Sequence, residues 1–283
     1  MPIELQRVRS LFAKPDKTRD SQFMRREVAR RMEERLSLVK MDPHCILDAG
    51  CGDFGDAALL ATLFKGSRIL DFDMSLPILA EVKQENEEAG NPIDFVCGNV
   101  ASLPFGKNSI DMVWSNLALH WHPEPREVFR EWNRVLKANG LLMFSCFGSD
   151  TFSVLKKSFS AIDRYSHVHP FESMISLGDL LIETGFTEPV LEREWIDVIY
   201  KDIGKLLADV RAFGGNAMTG RRKGFFGKKE YEKLLKLLEL GRDKNGDVSL
   251  GFEIVVAHAF KKDDFLPAGE KVIQFYGTSH EES

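Results

Sequence analysis

The chain has 283 residues, 43% apolar and 29% charged, the composition of an ordinary soluble protein, and its length suits one large domain or a domain with a sub-domain. The formal charge of −5 is uneven: residues 1–40 hold eleven Lys/Arg against six Asp/Glu, and residues 201–236 hold ten against four, so two basic segments on an acidic body suggest an anionic partner or substrate, or else solvated helix faces; no nucleic-acid partner is expected. No apolar run reaches the roughly 18–20 residues of a membrane span, no signal core opens the chain, and the four cysteines form no CxxC pair or metal-ligand spacing, so we expect a cytoplasmic protein with buried reduced thiols and no metal.

Residues 1–20 read as irregular and basic, with Pro15. The spacing of Phe23, Val28, Met32, Leu36 and Val39 predicts a helix over Ser21–Val39, which Asp42-Pro43 ends. Strands are then expected at Cys45–Ala49, Ser67–Phe72, Ile93–Cys97, Ile110–Ser115 and Leu141–Phe147. Between them lie helices at Phe54–Phe64, Leu76–Glu88 and Pro125–Leu136, the last closed by Lys137-Ala138-Asn139-Gly140 as a C-cap. Beyond Gly148 the rhythm changes. Helices are expected at Thr151–Tyr165, Leu177–Glu183, Gly204–Phe213 and Lys229–Leu240, with strands at Val190–Tyr200 and Val248–Phe260. Gly214–Gly227 reads as a basic loop, and 263–283 as a loose tail. Alternating strands and helices call for an α/β fold with a mostly parallel sheet covered on both faces.

In such sheets ligands bind beyond the carboxyl ends of the strands, where strand order reverses. The first strand feeds Gly50-x-Gly52-x-x-Gly55, a turn that lets a ligand approach the backbone. Taken alone, that spacing also suits a dinucleotide or a plain strand-to-helix turn. Asp73, at the end of the second strand, stands where a carboxylate takes ribose hydroxyls, or else caps the next helix; Asp71 is its alternate. Asp48 lies inside an apolar strand, where a carboxylate needs hydrogen bonds. It can orient the turn and, directly or through water, an ammonium group. Together these residues favour a nucleoside that carries an amino acid.

The segments ILDAGCG, FDMS, CGNVASLPFGKNSIDMVWSN and RVLKANGLLMFS, in this order over residues 45–147, resemble the class I S-adenosylmethionine-dependent methyltransferases. The resemblance implies a Rossmann-like, seven-stranded, mostly parallel sheet with S-adenosyl-L-methionine as cofactor. It places the methionine part on the first motif (Asp48, Gly50, Gly52), the ribose on Asp73 and the adenine amino group near Asn99. Met74 and Val100 join that set, and Asn116 lies near the methyl-bearing sulfur. Phe54 stands at the family's usual third glycine, and Asn99 where Asp is more usual. A closer resemblance covers most of the chain. VRSLFAKPDKTRDSQFMRREVARRMEERL, SNLALHWHPEPREVFREWNRVLKANGLLMFSCFGSDTF and LGDLLIETGFTEP, DVRAFGGNAMTGRR and GFEIVVAHAF are similar to the malonyl-acyl-carrier-protein O-methyltransferase family of biotin synthesis. Arg19 stands where that family often has Tyr.

That resemblance implies methylation of the free carboxylate of a malonyl thioester on acyl carrier protein. Such a carboxylate has a pKa of roughly 3–4 and needs no general base at neutral pH. Catalysis is then mostly positioning and desolvation. His120 and Trp121 are the candidates at the reacting end, the first to hydrogen-bond the malonyl group, the second to wall the pocket; a structural loop histidine is the plainer alternative. Arg25, Arg26, Arg30, Arg31, Arg211, Arg221 and Arg222 are candidates for the malonyl carboxylate or the acidic carrier and its phosphopantetheine arm, or for solvated faces; Tyr200 lines the pocket or belongs to the core. The expected organisation is an N-terminal helical lid (1–43), a cofactor-binding core (44–148), the rest of the sheet with a helical substrate-binding insertion (149–262) and a tail (263–283). Competing readings are a relative that modifies an arginine on a partner protein, a non-catalytic cofactor-binding protein, and a NAD dehydrogenase.

Overall fold

In the computed structural model, residues 3–14, 21–52, 56–89, 93–224 and 226–263 are described. Arg19, Phe54, Gly55 and the tail from 264 onward, each noted in the sequence, lie outside them. Five strands run parallel: β1 (Cys45–Ala49), β2 (Arg68–Asp73), β3 (Ile93–Cys97), β4 (Ile110–Ser115) and β5 (Leu136–Phe147). Two more, β6 (Phe186–Tyr200) and β7 (Val248–Lys261), complete a seven-stranded sheet in the order β3-β2-β1-β4-β5-β7-β6. β7 is antiparallel to both of its neighbours. The order reverses between β1 and β4, which places the switch point at the glycine turn.

The sheet buries both faces, so its strands are apolar at successive positions and divide them by alternation. Ile46, Ile69, Met112, Leu141 and Met143 face one core; Leu47, Leu70, Val113, Leu142 and Phe144 face the other. Helix α2 (Gln22–Leu36) covers the first through Met24, Val28, Met32 and Leu36, one residue per turn. Met24, not Phe23, continues the stripe inward; Phe23 is exposed. Arg31 and Arg35 on the same helix pair with Glu194 and Glu192 of β6, which pins α2 across the sheet. The short α3 (Ala57–Leu63) joins that face. On the other face α5 (Pro125–Val135) packs Val128, Phe129, Trp132 and Val135, beside α7 (Met174–Glu183).

The remaining helices are α1 (Leu5–Phe12), α4 (Leu76–Ala89), α6 (Ser153–Ser160), α8 (Ile203–Ala212) and α9 (Lys228–Glu239). Helix α1 corrects the expectation that residues 1–20 are irregular. Its buried side holds only Val8 and Phe12, and these pack with Ile3, Ile78, Val82 and Ala217 in a third small core. The Lys137–Gly140 stretch is also corrected. It is already part of β5, and the left-handed residue there is Asn139 (φ 60°), not Gly140. Of the cysteines, Cys51 and Cys146 are buried, Cys45 is half-buried and Cys97 is exposed, against the expectation that all four are buried.

Candidate active site

The site begins with the backbone of the turn after β1. The Gly50 and Cys51 N–H groups both donate to the Phe72 carbonyl, at 2.7 and 3.2 Å, so the turn is fastened to β2. Gly50 (φ 84°) and Gly52 (φ 63°) are left-handed, where a side chain is strained. A Cβ on Gly50 would lie 2.4 Å from the Ala118 Cβ, and one on Gly52 would lie 2.7 Å from Arg25 Nη1. At the end of β2, Asp73 Oδ2 accepts from the Gly52 N–H at 3.2 Å and Oδ1 from the Ser75 N–H at 2.8 Å. Asp73 thus fixes the turn and also caps the start of the following helical segment.

Behind the turn lie three more buried carboxyls. Asp48 accepts from the Asp56 N–H at 3.0 Å. Asp56 accepts from Trp114 Nε1 at 2.7 Å and Asn116 Nδ2 at 3.0 Å. Asp71 is the register partner of Asp48 across β1 and β2, and both its oxygens are buried without a hydrogen-bond partner among the described residues. Burial and the neighbouring acids push the carboxyls of Asp48 and Asp71 upward, Asp71 to about 7. Burial also raises Asp56, against the bonds from Trp114 and Asn116 and the Arg25 charge.

These elements frame a cavity that encloses about 640 Å³, part of it open to solvent. Ala49, Gly50, Gly52 and Asp73 form its polar end; Met74, Val100, Leu117 and Leu119 give it an apolar wall. Val8 and Phe12 of α1 line it as well, as does Arg25 of α2. Phe12 meets Trp121 edge-on at 5.1 Å. The loop after α8 comes over the same ring: a Cβ on Gly214 would fall 2.5 Å from Trp121 Cζ2 and 2.8 Å from Phe12 Cζ. Helix α1 and this loop are joined to each other. Ile3 bridges Met218, the Glu4 N–H donates to the Ala217 carbonyl at 3.0 Å, and Arg221 Nη1 donates to Glu4 Oε1 and the Met218 carbonyl, both at 2.7 Å.

Three histidines gather at this end, all neutral at pH 7. Burial lowers His120 far below its usual range, lowers His122 and brings His169 down to about 4. The His120 ring lies against Phe147 at 4.7 Å and Phe171 at 5.4 Å. The Phe147 N–H approaches its Nδ1 at 3.5 Å, and its buried Nε2 has no partner among the described residues. His169 stacks on Trp121 and holds the His120 carbonyl at 2.6 Å through Nε2.

The cavity therefore brings together Gly50, Gly52, Asp73, Met74, Val100, Asn116, Trp121 and Arg25 from the sequence-derived set. Asp48 stands one layer behind the turn, and His120 is buried beside Trp121. Asn99 is exposed, and its Oδ1 is held by the Ala101 N–H at 3.0 Å in an Asx-type turn. Tyr200 belongs to the core. It sits at the far tip of β6, pairs in register with Val248 and donates to Asp209 at 3.0 Å, because β6 and β7 extend beyond the last residue of β5. Arg222 pairs with Asp163 and Glu230, Arg30 with Glu27 and Glu34, and Arg31 with Glu27 and Glu194. Arg26 and Arg211 are exposed. Sequence reasoning gave no role to Val8, Phe12, Asp56 or His169. The Val8–Phe12 spacing of four was the available signal for α1, and Asp56 directly follows the glycine turn.

Among the described residues no cluster of three or more His, Cys, Asp or Glu is placed to hold a metal ion, and no helix is long and apolar enough to cross a membrane. A family model for the methyltransferase domain matches residues 47–144, the stretch from β1 to β5. The solved structure of YcgJ from Bacillus subtilis has the same fold, with a TM-score of 0.62 at 15% identity over 82% of this chain and 98% of that one. A malonyl-[acyl-carrier protein] O-methyltransferase of Gallionella capsiferriformans is 36% identical over 266 residues, covering 92% of this chain and 91% of its own. One of Methylovorus is 34% identical over 282 residues, covering 96% and 95%. Similarity of this extent, over nine-tenths or more of both chains, shows that the chain belongs to the malonyl-[acyl-carrier protein] O-methyltransferase family.

Proposed function

We propose that this protein methylates the free carboxylate of a malonyl thioester carried by acyl carrier protein, giving the methyl ester at an early step toward the pimeloyl chain of biotin. The observation that carries this reading is the cavity at the switch point, polar at the glycine turn, apolar along one wall and bordered by α1 and by the Gly214 loop beside Trp121.

The residues present fit S-adenosyl-L-methionine. Gly50 and Gly52 leave a cradle that a Cβ would fill. Asp73 offers a carboxylate at the end of β2, and Met74, Val100 and Leu119 offer an apolar slot for a base. Bound there, the cofactor supplies a methyl group activated by its sulfonium. Asp48 acts through the turn, by holding the Asp56 N–H.

The protein's own part is orientation and dryness. A malonyl carboxylate is ionised at neutral pH, so no side chain has to remove a proton. That agrees with three neutral histidines around the reacting end. Phe12, Trp121 and the Gly214 loop exclude water from the nucleophile. His120 lies buried beside Trp121, outside the cavity lining, and its part is to support that ring.

The carrier docks on the basic rim of the mouth. Arg7 and Lys223 are exposed near Glu4, whose carboxyl is held below its usual range by the Arg221 hydrogen bond and by the charges of Arg221, Lys223 and Arg7. Arg211 and Arg26 are exposed on α8 and α2. Arg221 serves this rim by fastening α1. Incubation with methyl-labelled S-adenosylmethionine and malonyl-loaded carrier protein tests the proposal: label should enter a base-labile ester on the thioester, and label on protein arginine, or none, would reject it.

A further inference from the structure

One cation reaches the cavity. Among its described lining residues Arg25 is the one Lys or Arg, and the nearby histidines are neutral. Its placement is built. The guanidinium lies over Gly52, close enough that a Cβ there would sit 2.7 Å from Nη1 and 3.5 Å from Cζ. The guanidinium also lies over the Phe12 ring, whose centroid is 6.0 Å from Cζ. Its main chain is tied down too, by Asn116 Nδ2 on the Arg25 carbonyl at 3.0 Å. Asp56, whose carboxyl feels the Arg25 charge, spends Oδ2 on Trp114 and Asn116.

We propose that Arg25 is the counter-ion for the carboxylate of the cofactor's amino-acid part, and not for the malonyl carboxylate. The inference rests on the cofactor reading above. Two carboxylates enter this cavity, and they have opposite needs. The malonyl carboxylate is the nucleophile, and a guanidinium bonded to it would withdraw the electron pair it must donate. The amino-acid carboxylate is a spectator, for which a charge-assisted hydrogen bond is pure binding. Position allows it: the guanidinium lies over Gly52 of the turn that ends β1, although its charge is also felt at His120. A glycine at 52 is needed for its backbone angle.

The test compares two nucleosides by calorimetry on the full chain. S-adenosylhomocysteine has the amino-acid part; 5′-methylthioadenosine lacks it. Arg25→Gln should weaken S-adenosylhomocysteine about 10- to 100-fold, as expected for losing a charged hydrogen bond, and leave methylthioadenosine within about twofold. Arg25→Lys should recover part of the loss. Equal weakening of both nucleosides would overturn the inference in favour of a packing role in α2. Unchanged binding of both, with a raised KM for the malonyl thioester, would overturn it in favour of the substrate carboxylate. Wild-type protein that binds neither nucleoside would overturn the cofactor reading and this inference together.

Discussion

The Asn116 side-chain amide lies 3.0 Å from the Arg25 carbonyl oxygen and 3.0 Å from Asp56 Oδ2. One side chain at the end of β4 thereby joins the N-terminal helix α2 to the carboxylate that follows the glycine turn. Its own Oδ1 accepts from the Ser145 hydroxyl at 3.0 Å, so β5 enters the same network. Asn116→Ala should lower cofactor affinity about 10-fold or more and reduce thermal stability by about 1–3 kcal/mol, because it strands partly buried partners. Calorimetry and thermal melts on one preparation check both effects. Unchanged cofactor affinity would show that α2 is positioned without this link.

Gly50 and Gly66 make a matched pair. Both are left-handed, at φ 84° and 90°, but a Cβ meets Ala118 at 2.4 Å in the first and nothing within 4 Å in the second. Gly66→Ala should cost only backbone strain, about 1–2 kcal/mol. Gly50→Ala should cost clearly more and abolish cofactor binding. Equal costs would mean that Ala118 yields freely and that the close approach does not shape the turn.

Asp71 predicts a pH dependence of stability. Its folded pKa, raised by burial and then by its acidic neighbours to about 7, lies above that of an unfolded carboxyl, so the folded state binds the extra proton. The associated stability is fully present below about pH 4 and is lost as the pH rises through about 7. Asp71→Asn should therefore gain on wild type as the pH rises, by about 2–4 kcal/mol above pH 8, with the gain fading toward pH 4. Denaturant melts across that range decide. A difference that does not vary with pH would mean that Asp71 does not titrate there.

The same residue shows what the sequence made legible. The sheet was readable because its strands are short apolar runs bounded by turn residues, and because Gly50, Gly52 and Asp73 keep a fixed spacing. The raised pKa of Asp71 was not, since it comes from burial inside the sheet and then from Asp56 and Asp73, which only the fold brings close. Helix α1 has one buried turn whose partners, Ile78 and Ala217, lie far along the chain. Tyr200, at the end of a strand, suits either the pocket or the core, and only the register shows that β6 outruns β5 and places it in the core. Arginine roles were hidden for a similar reason: Arg31, Arg35, Arg221 and Arg222 are recognisably basic in sequence, but their carboxylate partners come from distant elements.

The cover over the cavity should be separable from the fold beneath it. Phe12 lines the cavity and contacts Trp121, and it packs in the third small core rather than in either core of the sheet. Phe12→Ala should raise the KM for cofactor and carrier protein and speed amide exchange in α1, with little change in exchange within β1, β4 and β5. Glu4→Gln should speed α1 exchange by the same route, through the Arg221 pair. Protection that stays intact in α1 in both variants would show that its attachment lies elsewhere.

The claim on which the rest depends is that the acceptor is the free carboxylate of the malonyl group. Intact-mass spectrometry after incubation with S-adenosylmethionine measures this directly, using carrier protein loaded in parallel with malonyl and with acetyl, which lacks that carboxylate. The account predicts one added methyl on the malonyl-loaded carrier, removed by mild base, and none on the acetyl-loaded carrier. Methylation of both carriers, or of neither while a protein side chain is modified, would contradict it.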